Sequence, residues 1–355
     1  MKPKQFTNIP STMQVSVLHG IRDVRLETRA VPQPGPGEVL LKVAAVGVCG
    51  SDVHYYTEGR IGNQVVSQPI VMGHEFSATI ARLGAGVEEL SIGQLVAVEP
   101  AISCGECEPC RMGHPNLCPN VRFCGTPPID GVFSEYCVMP AANCFPLPAG
   151  ISAEAGAMLE PLGVALHAVN LSHIKPGDSV AVLGAGPIGI LTAMVARLSG
   201  ARRVYVSEPL AYRRDFVLSK VADEVIDPIT QNPVEVIQKY TGGRGVDLVF
   251  EAAGSDNTPE QAAEMVRIGG KVILIGIPAS DSLSFNATTV RRKGLTIILV
   301  RRMKHTYPRT IQMLADGVVD AASLITHRLP LGGVGQAMEL ISQYSGGAIK
   351  VIIQP

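Results

Sequence analysis

The sequence predicts an α/β protein in two parts: a β-rich domain of irregular strands, and a doubly wound parallel sheet covered by helices. Three observations carry that expectation. The rhythm of the chain changes near Lys175, from short strand-like runs broken by Gly and Pro to apolar strands alternating with helices. A glycine loop, "GAGPIG", stands where one such strand passes into a helix. Apolar residues make up 46% of the 355 positions and charged ones 17%, a composition that supplies two cores of ordinary size.

In chain order, "EVLLKVAAVGVC", "FSATIARLG", "QLVAVEP" and "FSEYCVMP" read as strands of the first domain, with turns at "PQPGPGE" and "PLPAGIS". "DSVAVLGAG" then reads as a buried strand, and "PIGILTAMVARLSG" as a helix ended by Gly200. "RRVYVSEP", "DEVIDP", "VDLVFEAAG", "GKVILIGIP" and "GLTIILV" follow as strands. The helices between them are "YRRDFVLSKVA", "NPVEVIQKYTGG" and "TPEQAAEMVRIGG". Continuous apolar strands of this kind are those of a parallel sheet buried on both faces, and six in this order suit a doubly wound dinucleotide fold. The segment from about 302 to 355 holds two helical patterns and a last strand, "IKVIIQP", that returns to complete the first domain.

The formal net charge of −1 gives no electrostatic reason to expect nucleic acid or an anionic membrane as partner. No apolar run reaches the roughly 18–20 residues of a membrane span. "MKPKQFTNIPSTMQ" lacks the apolar core of a secretory signal and reads as a loose tail ahead of the first strand. A soluble cytoplasmic protein is expected, and in that compartment clustered cysteines are metal ligands or catalysts more often than disulfides.

In the glycine loop, Gly184 permits the tight turn, Gly186 lets the backbone approach a pyrophosphate at the N-terminus of the helix begun by Pro187 and Ile188, and Gly189 allows close helix–strand packing. Glu208 ends the next strand near the ~20-residue offset at which an acid grips a ribose 2′-hydroxyl. A carboxylate there repels a 2′-phosphate and favours NAD over NADP. Arg213 and Arg214 follow, and arginines can hold that phosphate, so the NADP alternative stays open.

Four of eight cysteines fall within "CGECEPCRMGHPNLC" at Cys104, Cys107, Cys110 and Cys118. Disulfides, a dithiol redox centre, a catalytic metal and a structural metal all compete for them. Four thiolates fill a tetrahedral zinc and leave no position for substrate, which favours a structural zinc that fixes a loop. A zinc that does chemistry needs three protein ligands and an open site. Cys49, His74 and Glu75 are candidates, with Glu160 able to reach the metal directly or through a water. Taking a hydride from an alcohol carbon requires the hydroxyl proton to leave, and zinc stabilises the charge left on oxygen. Ser51 and His54, shortly after Cys49, suit a relay carrying that proton to solvent. Cys124, Cys137 and Cys144 read as packed thiols.

On "GVCGSDVHYYTEGRIG", "VMGHE", the cysteine cluster, "FCGTPPIDG", "LEPLGVALHA" and "VLGAGPIG", the chain resembles over nearly its full length the zinc-dependent medium-chain alcohol dehydrogenases, and among them the sorbitol and xylitol (polyol) branch. The resemblance implies a GroES-like catalytic domain over 1–163, a Rossmann domain over 164–301 and a return to the catalytic domain over 302–355, commonly in a homotetramer. It implies two zinc ions per chain: a catalytic one on Cys49, His74 and Glu75 with Glu160 as fourth ligand or water holder, and a structural one on the four-cysteine cluster. It also implies that Tyr55, Phe123 and Thr126 line a polyol pocket, and that Arg302 reaches the substrate. Met303 stands where this branch usually has tyrosine, which removes one hydroxyl partner. The implied reaction is oxidation of a polyol secondary hydroxyl to a ketose with hydride transfer to NAD. Alternatives are the same chemistry on L-threonine or a vicinal diol, or a non-catalytic, cofactor-sensing descendant.

Overall fold

The chain opens with a hairpin, β1 (Thr12–Gly20) and β2 (Asp23–Ala30), in the computed structural model, which describes residues 9–278 and 282–355. The first eight residues of the expected tail lie outside the described residues. β3 (Glu38–Gly47) is the pivot of the first unit. Val39, Leu40, Leu41, Ala45 and Val46 are buried, because the strand has neighbours on both edges. Helix α1 (Gly50–Glu58) follows directly and stops at Gly59, whose left-handed φ of 71° suits glycine. Next come β4 (Ile70–Val71), β5 (Glu75–Leu83), β6 (Leu95–Val98), β7 (Tyr136–Pro140) and β8 (Cys144–Pro146). Helix α2 (Leu159–Ser172) then carries the chain away.

The second unit alternates strand and helix: β9 (Ser179–Leu183), α3 (Pro187–Leu198), β10 (Arg203–Ser207), α4 (Ala211–Lys220), β11 (Glu224–Ile226), α5 (Pro233–Tyr240), β12 (Val246–Glu251), α6 (Thr258–Met265), β13 (Val266–Leu274), α7 (Ala287–Lys293) and β14 (Thr296–Leu299). All its pairings are parallel, in the order β11-β10-β9-β12-β13-β14. That is a doubly wound sheet with its switch point between β9 and β12, where such folds bind ligands. Its core joins Ala181, Leu183, Val249 and Val272 of the strands to Ile237, Ala262 and Met265 of the helices. "VRIGG", expected as the end of a helix, instead begins β13: α6 stops at Met265, and Val266 pairs with Val246 of β12. Helix α7 had no counterpart in the sequence reading.

The chain then returns through α8 (Tyr307–Ala315), β15 (Ile325–Pro330), α9 (Val334–Ser342) and β16 (Lys350–Gln354). β16 pairs antiparallel with β3 and parallel with β15, giving the order β8-β6-β5-β3-β16-β15, with β7 also paired to β3. Contacts therefore group residues up to Glu160 with Tyr307–Pro355, and Pro161–Thr306 as the other unit. The segment 302–306, read from sequence as part of the return, falls in the second unit.

Candidate active site

Cys49, His74 and Glu75 bring one sulfur, one imidazole nitrogen and one carboxylate oxygen within 4.8 Å of one another. Local structure explains the meeting. Cys49 is the extended N-cap residue of α1, just past the end of β3. Glu75 is the first residue of β5 and lies opposite Gly47 in the antiparallel register. A Cβ at position 47 would stand 2.2 Å from Glu75 Oε2, so the missing side chain makes room for the carboxylate. Gly73, at φ 89°, turns the chain immediately before His74.

Two further residues, not singled out from the sequence, hold this set. Asp52 is buried, and its carboxylate accepts from Cys49 N at 3.0 Å and Gly73 N at 3.1 Å, tying both ligand-bearing turns together. Its Oδ1 also lies 3.6 Å from His74 Nδ1, which leaves Nε2 as the ligating nitrogen. Burial opposes charge on His74, but Asp52 and the Cys49 sulfur outweigh it and raise the imidazole's pKa well above its ordinary value. A metal and a proton compete for that imidazole. Lys350, from β16, donates to Glu75 Oε2 at 2.5 Å and to Val48 O at 3.0 Å. Burial alone would lower its pKa, yet the charges of Glu75 and Cys49 raise it.

Glu75 Oε1 is buried with no hydrogen-bond partner. An orphaned carboxylate oxygen beside a thiol and an imidazole is the donor set that a zinc ion satisfies, with a fourth position left over. The residues fit the metal.

Glu160, in the first turn of α2, is buried but outside this close set; its charge acts on Lys350 and Tyr307. Ser51 and His54 lie on α1, and His54 Nδ1 contacts Glu58 Oε1 at 3.1 Å. Tyr55 is buried on the same helix. The Phe123 ring stands 5.2 Å from the His74 ring, tilted by 54°, and Thr126 follows in the same loop, half-buried. Arg302 lies in the second unit, in left-handed backbone at φ 54°. Met303 is buried beside Gly163, where a Cβ would meet its sulfur at 2.4 Å.

The four thiols of Cys104, Cys107, Cys110 and Cys118 form a second set within 4.8 Å. The N–H groups of Cys107 and Glu106 point at Cys104 and pull its pKa down to about 6, favouring the thiolate that metals bind. Gly105 and Gly113, both with positive φ, let the loop wrap.

In the second unit Gly184 takes φ 92°, Gly186 caps α3, and Pro187 fills its first position, where a missing N–H costs nothing. A Cβ on Gly189 would lie 1.9 Å from Gly184 O. Ile188, the remaining residue of this turn, is half-buried on α3. Glu208 is buried and accepts from Ala185 N at 2.6 Å and Leu210 N at 3.0 Å. Arg213 Nη1 is the nearest atom to a Cβ placed on Gly186, at 3.9 Å. Glu251, also missed from sequence, accepts from Ala253 N, Gly254 N and Thr258 Oγ1, fixing the loop that packs on Gly184. Burial raises its pKa.

Comparison with known proteins agrees with both halves. The model of the alcohol dehydrogenase GroES-like domain matches residues 35–149, and that of the zinc-binding dehydrogenase matches 187–316. The chain is 38% identical to sorbitol dehydrogenase of Bacillus subtilis, over 98% of each chain. The chain belongs to the zinc-binding alcohol dehydrogenase family. This dehydrogenase is also 37% identical to sorbitol dehydrogenase of Homo sapiens, over 95% of this chain and 94% of that one. Its fold matches an alcohol dehydrogenase of Escherichia coli CFT073 solved with NADH, at TM-score 0.90 and 29% identity, covering 98% of this chain and 100% of that one. It is a zinc-dependent oxidoreductase that works with a nicotinamide cofactor. No helix among its described residues is long and apolar enough to cross a membrane.

Proposed function

We propose that this dehydrogenase oxidises a secondary hydroxyl of a polyol of the sorbitol, xylitol or iditol type to the ketose, passing the hydride to NAD. The observation that carries the reading is the close set of Cys49, His74 and Glu75 with its orphaned carboxylate oxygen, in a chain so similar to sorbitol dehydrogenases. Zinc at that set supplies charge stabilisation on the substrate oxygen as its proton leaves. Asp52 orients the imidazole, and Lys350 holds one oxygen of Glu75, leaving the buried other for the metal. Glu160 is assigned to hold a water beside the set. Ser51 and His54 pass the hydroxyl proton outward along α1. Tyr55, Phe123 and Thr126 offer two rings and two hydroxyls, and Arg302 a cationic donor; these four include no carboxylate to meet the ammonium of L-threonine, which favours a substrate of neutral hydroxyls.

NAD is favoured because a carboxylate held at Glu208 by two backbone N–H groups reads a ribose diol and repels a 2′-phosphate. The four thiols of the cysteine lobe are assigned a second, structural zinc, and their reduced state suits a cytoplasmic protein. A homotetramer belongs to the same reading. The outer strand β14, paired only to β13 among the described residues, leaves a sheet edge that a second copy can extend.

Metal analysis and turnover test this together. Two zinc ions per chain are expected, falling to one in Cys49→Ser with activity lost on a panel of four- to six-carbon polyols. Full activity in that variant, or turnover of L-threonine in preference to every polyol, overturns the assignment.

A further inference from the structure

In sequence, an acid followed by two consecutive arginines leaves the cofactor's 2′ position ambiguous, because either arginine could hold a phosphate there. The structure separates the two arginines. β10 and β11 run side by side with Ser207 opposite Ile226, so Glu208 and Asp227 leave adjacent strand ends together, and Glu208 N donates to Ile226 O at 3.0 Å. Arg214, in the first turn of α4, donates through Nη1 to Glu208 O at 2.9 Å and Pro209 O at 2.6 Å. Its Nη2 lies 3.1 Å from Asp227 Oδ2, with both side chains mostly covered. The second oxygen of Asp227 accepts from Ile229 N at 3.0 Å and starts the turn after β11. Arg213 takes another course, over the Tyr212 ring and towards Gly186.

We propose that Asp227 is a specificity residue for the cofactor: it neutralises Arg214 and pins it to the backbone of Glu208–Pro209, denying an incoming 2′-phosphate a cation anchored on the main chain of the ribose reader. Arg214 is then a positioning residue for Glu208 rather than an anion site. This deepens the NAD reading and rests on Glu208 being the ribose reader. A guanidinium whose charge is met by a carboxylate has little left for a phosphate, whereas one released from it offers planar, bidentate donors. Asp227 is the first residue after β11, and its backbone O also accepts from Thr230 N and Gln231 N, so the charge can be removed without removing the turn.

The test is a cycle of variants assayed with NAD and NADP, by kcat/KM and by cofactor titration. Asp227→Asn keeps an oxygen for Ile229 N while removing the charge; Asp227→Ser does the same with a shorter side chain and serves if the first fails to fold. Asp227→Asn is expected to shift the NADP-to-NAD ratio of kcat/KM by about tenfold towards NADP. Adding Arg214→Met should cancel that gain. Arg214→Met alone should weaken NAD binding without improving NADP, because Glu208 loses its backbone anchor. An unchanged ratio in folded Asp227→Asn, or a gain that persists without Arg214, overturns the inference. Glu208→Ala separates it from its premise: equal losses for both cofactors would remove the ribose reading itself. A selective loss of NAD with no response at Asp227 would remove only this proposal.

Discussion

Glycines decide where His74 stands. Besides Gly47, which clears space for Glu75, Gly131 lies flat on the ligand turn: a Cβ there would come within 2.3 Å of Gly73 O and 2.5 Å of Met72 C. Neither neighbour can yield, because both are backbone and Gly73 N is already bound by Asp52. Gly131→Ala should therefore displace His74 while sparing the cysteine lobe. Zinc content is expected to fall towards one per chain and kcat/KM by about a hundredfold, the usual cost of a shift near 1 Å at a reacting centre. Retention of both zinc ions with normal turnover would show that the turn is softer than its packing implies. The candidate ligands were visible in the sequence because thiol, imidazole and carboxylate carry their chemistry in their names. Those that hold them were less so. Asp52 had a local signal, three residues after Cys49 in a reciprocal capping arrangement. Lys350 had none, since it meets Glu75 only once β16 has paired with β3.

At the scale of elements, the parallel sheet was readable because strands buried on both faces are continuous apolar runs, whereas the first unit's short strands show no order until they pair. The "VRIGG" error has the same origin: β-branched Val266 belongs to a neighbour, Val246, that no local window contains. Asp247 ties three of the sheet's inner strands together at one end. It accepts from Ser179 N and Oγ at the start of β9, pairs with Arg267 of β13 at 2.7 Å, and meets Arg244 at 2.6 Å. Burial would raise its pKa, but Arg244, the Ser179 N–H and Arg267 together hold it well below the ordinary carboxylate range. A group depressed in this way stabilises the fold above its unfolded pKa, and that stability drains as pH falls through its folded value. Asp247→Asn should cost about 2 kcal/mol at neutral pH. The gap from the unaltered protein should close as pH drops below about 4, as urea melts across a pH series would record. A gap that does not change with pH would mean that shape rather than charge is lost.

For the whole molecule, metal and cofactor act on different stretches of one chain. The two candidate metal sets draw on residues 49–118 and the proposed cofactor site on residues 184–214, and a ligand stabilises the structure that it binds. In hydrogen exchange, stripping zinc with a chelator should expose residues 47–52, 72–76 and 104–118 most strongly. NAD at a hundred times its Kd should protect residues 184–190 and 208–214 by up to about 2.7 kcal/mol. Uniform changes along the chain in both experiments would contradict this division.

The pairing of β16 with β3 also sets a schedule. Roughly three hundred residues separate the end of β3 from the start of β16, about 15–60 s of synthesis at ordinary rates of translation. Throughout that interval the Val46–Gly47 end of β3 lacks its closing strand on the flank that β7 covers at the other end, and Glu75 lacks the lysine that answers its charge. The second unit is complete well before then. A nascent chain of this dehydrogenase thus completes its proposed cofactor site before its proposed metal centre, and the half-built sheet is what a chaperone would have to shelter in the meantime.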